Sequence, residues 1–292
     1  MEEVEDLEKI GEGRFASVYK NGSVVYKILK QNSNLKKFYS KEMIQQIVGI
    51  KSDSCVFPNE ILEDNNGNLL GYTMDLVIGR RVKGVIAMLP FKQLQTAIEI
   101  VEKDIYELSK QNIMLDDIRD NDIMWNKKTE EIQIVDTDFF KRVYDNPNLS
   151  SINYKKFAKT MSSIIDSELC KYGRMEDGRL EPFYDLENLK IKDDKELSIN
   201  EYILNIKSVV ENDFDKQFDN FNEIEMALKK KQEEIERQQH LEEISNNLTV
   251  REKLIRFLIQ SKYAKKLPFV GRIIYKQVIM LPPYVREVLN SK

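Results

Sequence analysis

Residues 114–140, MLDDIRDNDIMWNKKTEEIQIVDTDFF, place six aspartates around two short apolar runs. Asp116, Asp117, Asp120 and Asp122 precede Ile123, Met124 and Trp125, and Asp136 and Asp138 follow Ile132, Ile134 and Val135. A carboxylate at the mouth of a buried strand stays ionised only where cations or hydrogen-bond donors meet it. Acids clustered at two strand ends therefore point to a cation site or to catalysis. Asn126 to Glu130 supply the polar turn that joins the two runs as short strands.

Working outward, Phe91 to Gln111 repeats Leu94, Ile98, Val101, Ile105 and Leu108 on one helical face. Upstream, residues 7–30 (LEKIGEGRFASVYKNGSVVYKILK) read as strands, with a glycine turn and Asn21-Gly22 as a hairpin signal. Residues 59–77 give two more strands joined at Asn66-Gly67. Between these pairs, residues 35–50 space Leu35, Phe38, Ile44 and Ile47 as a helix. Beyond Pro147 the signals are mainly helical, over 152–166, 198–212 and the polar run 221–245. Thr249 with Glu252 three residues on forms a capping-box start for a helix to about Leu267. A strand-rich first part followed by a longer helical part predicts an α+β fold.

A chain of 292 residues with 41% hydrophobic content can bury a substantial core. Cys55 and Cys170 lie far apart and in no metal spacing, which argues against disulfides and thiolate zinc and fits a reducing, cytoplasmic setting. The acidic start MEEVEDLEKI does not read as a signal peptide, and no run reaches the ~20 apolar residues that cross a bilayer. The only histidine, His240, sits in a polar run, so no Ser-His-Asp or Cys-His nucleophile can be built on it. Charge is uneven. Residues 251–292 carry ten Lys or Arg against Glu252 and Glu287, a net of +8 that leaves −12 for the rest of a chain whose total is −4. That basic tail interleaves Leu, Ile, Phe and Tyr. It reads as a helical extension packing on the acidic body, or as a peripheral surface for anionic lipid or an acidic partner. No nucleic-acid motif is present.

Gly11 and Gly13 lie in a strand turn where missing side chains let backbone N–H groups approach a phosphate, though an ordinary hairpin would look the same. Lys27 on the next strand offers a point charge beneath that turn, and Glu42 on the predicted helix offers it a partner. With Asp117 and Asp122 five residues apart and Asp136 nineteen residues beyond Asp117, motif order and content resemble the protein kinase-like superfamily over about residues 7–165. The resemblance is to atypical bacterial-type Ser/Thr kinases.

That resemblance implies a two-lobed protein kinase-like fold with a helical C-terminal extension: an N-lobe at 1–77, a C-lobe at 78–213 and a C-terminal region at 214–292. It implies ATP and Mg²⁺ as ligands. Lys27 would hold phosphates and pair with Glu42. YTMDLV resembles the hinge, with Met74 as gatekeeper and the main chain of Asp75 and Val77 meeting the adenine edge between Val18, Val25 and Met124. Asp117 would be the catalytic aspartate and Arg119 the basic residue two positions on, while Asp122 and Asp136 would bind metal. Ala16 replaces the third glycine, Leu115-Asp116 replaces His-Arg, Asp122 replaces asparagine, and Thr137-Asp138 replaces Phe-Gly. No Ala-Pro-Glu follows residue 140. A shift by one would pair Asp116 with Asn121, but it breaks the apolar register. The implied function is ATP/Mg-dependent phosphoryl transfer to a protein Ser or Thr. Two alternatives stand beside it: a pseudokinase acting as a nucleotide-binding or interaction module, and a small-molecule kinase resembling aminoglycoside or choline phosphotransferases.

Overall fold

The computed structural model describes residues 7–30, 39–177, 179–192, 195–248, 250–260, 278, 281, 283, 285 and 286. Alternation in the first strands and two Gly-containing turns build an antiparallel sheet from β1 (Glu8–Glu12), β2 (Ala16–Asn21), β3 (Val24–Leu29), β4 (Glu60–Glu63) and β5 (Leu69–Asp75), ordered β1-β2-β3-β5-β4. Gly22 and Gly67 take positive φ at the predicted hairpin tips. Asp64 closes the second turn by accepting from the amides of Asn66 and Asn68. Val25, Lys27 and Leu29 share one face of β3 by the period of two. The apolar pair Val25 and Leu29 packs with Ala16, Ile44, Tyr72 and Met74.

Helix α1 spans only Lys41–Gln45, capped by Ser40 Oγ, which accepts from the Met43 amide at 3.2 Å. The expected helix over 35–50 is thus shorter in its described part. Gly49, at φ +72, stops it on the C-terminal side, while Leu35 and Phe38 lie outside the described residues.

Beyond the sheet come β6 (Arg80–Arg81), α2 (Phe91–Lys110), β7 (Ile113–Met114), β8 (Ile123–Asn126), β9 (Glu131–Ile134) and β10 (Lys141–Arg142). Strands β6, β8 and β9 form a small sheet, and β7 pairs with β10. The hairpin read from residues 114–140 is present, Ile123 opposite Ile134. Helix α3 (Leu149–Leu169) follows. The helical face of α2 is buried as its spacing predicts, with Phe157, Met161 and Ile165 of α3 also in the core.

The polar stretch 173–196 lies between the helical runs read from the sequence and carries strands that no reading marked. It forms the hairpins β11 (Gly173–Glu176) with β12 (Arg179–Pro182) and β13 (Ile191–Lys192) with β14 (Lys195–Glu196), around the one-turn α4 (Leu186–Leu189). All of β11 and β12 except Gly173 is exposed, so no apolar alternation marks them as strands. Helices α5 (Ile199–Phe214), α6 (Phe221–Asn246) and α7 (Val250–Gln260) complete the order. A capping box of Ser198 and Glu201 starts α5. The box read at Thr249 lies outside the described residues, as does most of the basic tail. The fold is mixed α+β, an antiparallel N-terminal sheet followed by a helical region, and no described helix is long and apolar enough to cross a membrane. Cys55 and Cys170 are free thiols.

The chain forms two compact units, Met1–Lys171 with Tyr184–Glu225, and Tyr172–Phe183 with Met226–Lys292. In the second unit the tail residues Val278, Leu281 and Val285 pack with Leu248 and Ile255, and Lys231 lies over the Phe183 ring at 5.1 Å.

Two expected results follow from packing in the first unit. A Cβ on Gly71 would sit 2.2 Å from the Lys27 carbonyl oxygen, in a strand pair where Ile28 faces Gly71. Gly71→Ala should cost about 3 kcal/mol or more, seen as a lower urea midpoint. A loss below ~1 kcal/mol would contradict this backbone clash. The second concerns Glu225. Burial pushes its carboxyl up to about 7 from 4.5, and the facing Glu168 adds to this, although Lys171 lies 3.8 Å away. A raised carboxyl pKa stabilises the fold fully below 4.5 and loses that contribution as pH rises through about 7. Urea unfolding should show about 1–3 kcal/mol of stability lost from pH 5.5 to 8 through this group, and Glu225→Gln should abolish that share. Equal losses in wild type and variant would remove Glu225 as the cause.

Candidate functional site

The first unit contains a cavity of about 560 Å³. Its apolar wall comes from Val18, Val25, Met74, Val77 and Met124, and its polar end from Lys27, Asp117, Arg119, Asp122 and Asp136. Gly13 and Asp75 also line it. Leu76 donates its amide to the Ser23 carbonyl at 2.9 Å, away from the cavity that its neighbours Asp75 and Val77 line. Of the residues to which the resemblance gives a catalytic, nucleotide-binding or metal-binding role, only Gly11 and Glu42 are absent from the lining.

Gly11 sits in β1 opposite Val18, and neither it nor Gly13 has a positive φ. The Gly13 amide closes the turn on the Ala16 carbonyl at 2.8 Å, and Lys30 braces it by donating to Glu12 at 2.8 Å and to the Gly13 carbonyl at 2.9 Å. Hydrogen bonds from Lys30 and Lys9 hold the Glu12 carboxyl down to about 2.

The expected ion pair of Lys27 with Glu42 is not formed. Lys27 Nζ instead donates to Asp136 and, at 2.9 Å, to Asp138 Oδ2. Glu42 is exposed in the first turn of α1, where hydrogen bonds from its own backbone amide and from Ser40 keep its pKa low. A carboxylate is favoured at that position by the free amides of a helix start. Burial alone would lower the Lys27 pKa, but the two aspartates outweigh it and the net shift is upward.

Two loops carry the acids, and main-chain bonds fix them together. The Val135 amide donates to the Asp122 carbonyl at 2.8 Å. Thr137 Oγ1 donates to the Val56 carbonyl at 2.8 Å, and the Ile134 amide to Ser54 at 2.6 Å. Asp117 and Asp136 both adopt left-handed backbone, φ +53 and +65, a conformation that costs a non-glycine residue free energy and that a surrounding structure must impose. Arg119 forks onto Asp117, Nε to Oδ1 at 3.0 Å and a terminal nitrogen to Oδ2 at 2.7 Å. Asp116 points elsewhere and pairs with Lys141 at 3.1 Å and Lys156 at 2.9 Å. The chain thus brings Asp117 with Asp122, rather than Asp116 with Asn121, to the cavity.

Asp122 Oδ2 accepts from the Arg119 amide at 3.0 Å. Burial nevertheless raises its carboxyl to about 6, helped by the charges of Asp136 and Asp117. Asp136 is also raised, by burial and then by Asp138, against the pull of Lys27. Burial and the neighbouring carboxylates outweigh Arg119 at Asp122 and Lys27 at Asp136. Asp122 and Asp136 could hold Mg²⁺, which takes one or two carboxylates and fills its octahedron with water and phosphate oxygens.

Three features escaped the sequence reading. Asp138 has a fully buried side chain. Phe15, Tyr39 and Phe139 form an aromatic cluster at one end of the cavity, Tyr39 and Phe139 ring centres 5.2 Å apart. Arg14 lines the cavity from the glycine turn. Only the aromatic side chains carried a signal, and nothing local in the sequence aims them at this site. No protein-family model and no curated protein matches this chain.

Proposed function

We propose that the cavity binds ATP with Mg²⁺ and transfers the γ-phosphoryl group to a hydroxyl acceptor, protein Ser or Thr first among them. In this reading the chain is a two-lobed protein kinase-like phosphotransferase: N-lobe 1–77, C-lobe 78–213, C-terminal extension 214–292. The observation that carries it is the convergence of Lys27, Asp117, Asp122 and Asp136 from three separate segments on one cavity that also has an apolar wall. The adenine lies between Val18, Val25 and Met124, and Lys27 meets the phosphates. Asp122 and Asp136 would hold Mg²⁺, which would supply charge neutralisation on the phosphates. Asp117, its direction fixed by the Arg119 fork, accepts the proton of the attacking hydroxyl. The acceptor oxygen bonds to the γ-phosphorus as the bond from that phosphorus to the β–γ bridging oxygen breaks, and ADP leaves with the electron pair.

A second reading of the acceptor has its own support. Only residues 143–148 separate β10 from α3, which leaves little chain for a platform to hold a peptide. That favours a small alcohol, as for aminoglycoside or choline phosphotransferases. Incubation with γ-labelled ATP and Mg²⁺, on generic proteins and on a panel of small alcohols, separates the two. Label should move to one class and vanish in Asp117→Ala. No transfer above the Asp117→Ala background on either class would defeat phosphotransfer. Stabilisation by Mg-ATP without transfer would leave a nucleotide-binding module of pseudokinase type.

A further inference from the structure

We infer that Asp138 is the positioning residue for Lys27, the part that Glu42 was expected to play. The inference rests on the nucleotide reading of the cavity, and its geometry is independent of that reading. Two carboxylates meet Lys27, and they differ in surroundings. Asp136 has a side chain 46% exposed and lines the cavity, whereas the Asp138 side chain is 0% exposed. A bound cation can therefore draw Asp136 away from Lys27. Asp138 cannot follow. It sits in a single 3₁₀ turn, Thr137–Phe139, closed by the Phe140 amide on the Thr137 carbonyl at 2.9 Å and anchored by Thr137 on Val56. Phe139 of the same turn packs on Phe15 and Tyr39. Lys27 thus keeps one fixed, hydrogen-bonded partner at 2.9 Å when the other turns to a metal.

A regulatory consequence follows. Where a helix glutamate directs the lysine, moving that helix switches the site. Here the cavity-lining acid and the lysine anchor lie two residues apart on one turn, so the lysine is directed without the Glu42 carboxylate. Nucleotide binding should be insensitive to Glu42.

The test compares ATP with adenosine by calorimetry in the presence of Mg²⁺. Asp138→Asn, close to isosteric, should weaken ATP binding at least tenfold while adenosine binding stays within twofold. Loss of a merely structural role would weaken both ligands alike. Lys27→Met should weaken ATP comparably, and the double variant should be no worse than either single one. Glu42→Gln, a change at an exposed position, should leave ATP affinity within twofold. A tenfold loss in Glu42→Gln overturns the inference even if Asp138→Asn does not fold. Equal losses of ATP and adenosine in Asp138→Asn overturn it too. If the wild type binds neither ligand, the nucleotide reading falls, and amine-reactive labelling of Lys27 followed by mass spectrometry decides the positioning role. Faster labelling in Asp138→Asn than in wild type and Glu42→Gln supports it, and unchanged labelling overturns it.

Discussion

Asp136→Asn is expected to abolish the thermal stabilisation that ATP gives in the presence of Mg²⁺, while Asp122→Asn keeps most of it. A ligand at a hundred times its dissociation constant stabilises a fold by about 2.7 kcal/mol. That contribution should fall below ~1 kcal/mol in Asp136→Asn and stay within ~1 kcal/mol of wild type in Asp122→Asn. The asymmetry comes from the surroundings of the two acids. Asp136 bonds to Lys27 and lines the cavity from a backbone held at φ +65, which fixes the direction of its carboxylate. Asp122 already spends one oxygen on the Arg119 amide, and an amide oxygen can accept that bond and still reach a metal.

The unliganded proteins should differ in the opposite sense. Burial pushes the Asp122 carboxyl up from 3.8 to about 6, so its favourable contribution is complete below 3.8 and lost as pH rises through about 6. At pH 7.5 its charge works against the fold, beside Asp136 and Asp117. Asp122→Asn should therefore raise the unliganded stability by about 1–2 kcal/mol. Melting temperatures of both variants with and without Mg-ATP provide the check. Equal losses of ligand stabilisation, or a less stable unliganded Asp122→Asn, would show that these roles are misassigned.

The second large effect is expected far from any ligand. Asn153 of α3 is fully buried and makes three hydrogen bonds, accepting from the Leu115 amide at 2.9 Å and donating to Ile113 O at 2.8 Å and Ser109 Oγ at 2.9 Å. One turn on, Lys156 donates to the Leu115 carbonyl and Asp116, and Thr160 donates to the Ile118 carbonyl at 3.1 Å. A polar stripe at 153, 156 and 160 thus supports the segment that leads into Asp117. Asn153→Ala would leave the Leu115 amide and Ile113 carbonyl unpaired in a dry interior and open a small cavity. Each orphaned group costs about 1–3 kcal/mol, so a total of about 3–4 kcal/mol is expected. Melting should fall on the order of 10 °C, with urea unfolding at unchanged slope. A loss under ~1 kcal/mol would mean that water replaces the amide.

Much of the N-terminal architecture could be read directly from the chain. Asn21-Gly22 and Asn66-Gly67 marked hairpins because their turns need a residue at positive φ, and the α2 face was plain because its apolar residues recur at the helical period. The acids of 114–140 announced a charged site for the same local reason: ionised groups beside buried strands need partners. Which partners they have was not local. Lys27 and Asp138 are 111 residues apart in the chain, and only folding sets them 2.9 Å from each other. Sequence spacing offered Glu42 to Lys27, but a first-turn glutamate on a short helix is held by its own helix start. The hairpin of β11 and β12 carries too little buried surface to leave an apolar pattern. Asn153 looked like one more polar residue in a helix until α3 was laid against the loop it supports. Periodicity and turn chemistry act over a few residues, so the sequence by itself determined the N-terminal strands, their turns and the long helices. Charge pairing and buried hydrogen bonds act through space, so which groups met in the cavity was decided only by the tertiary structure.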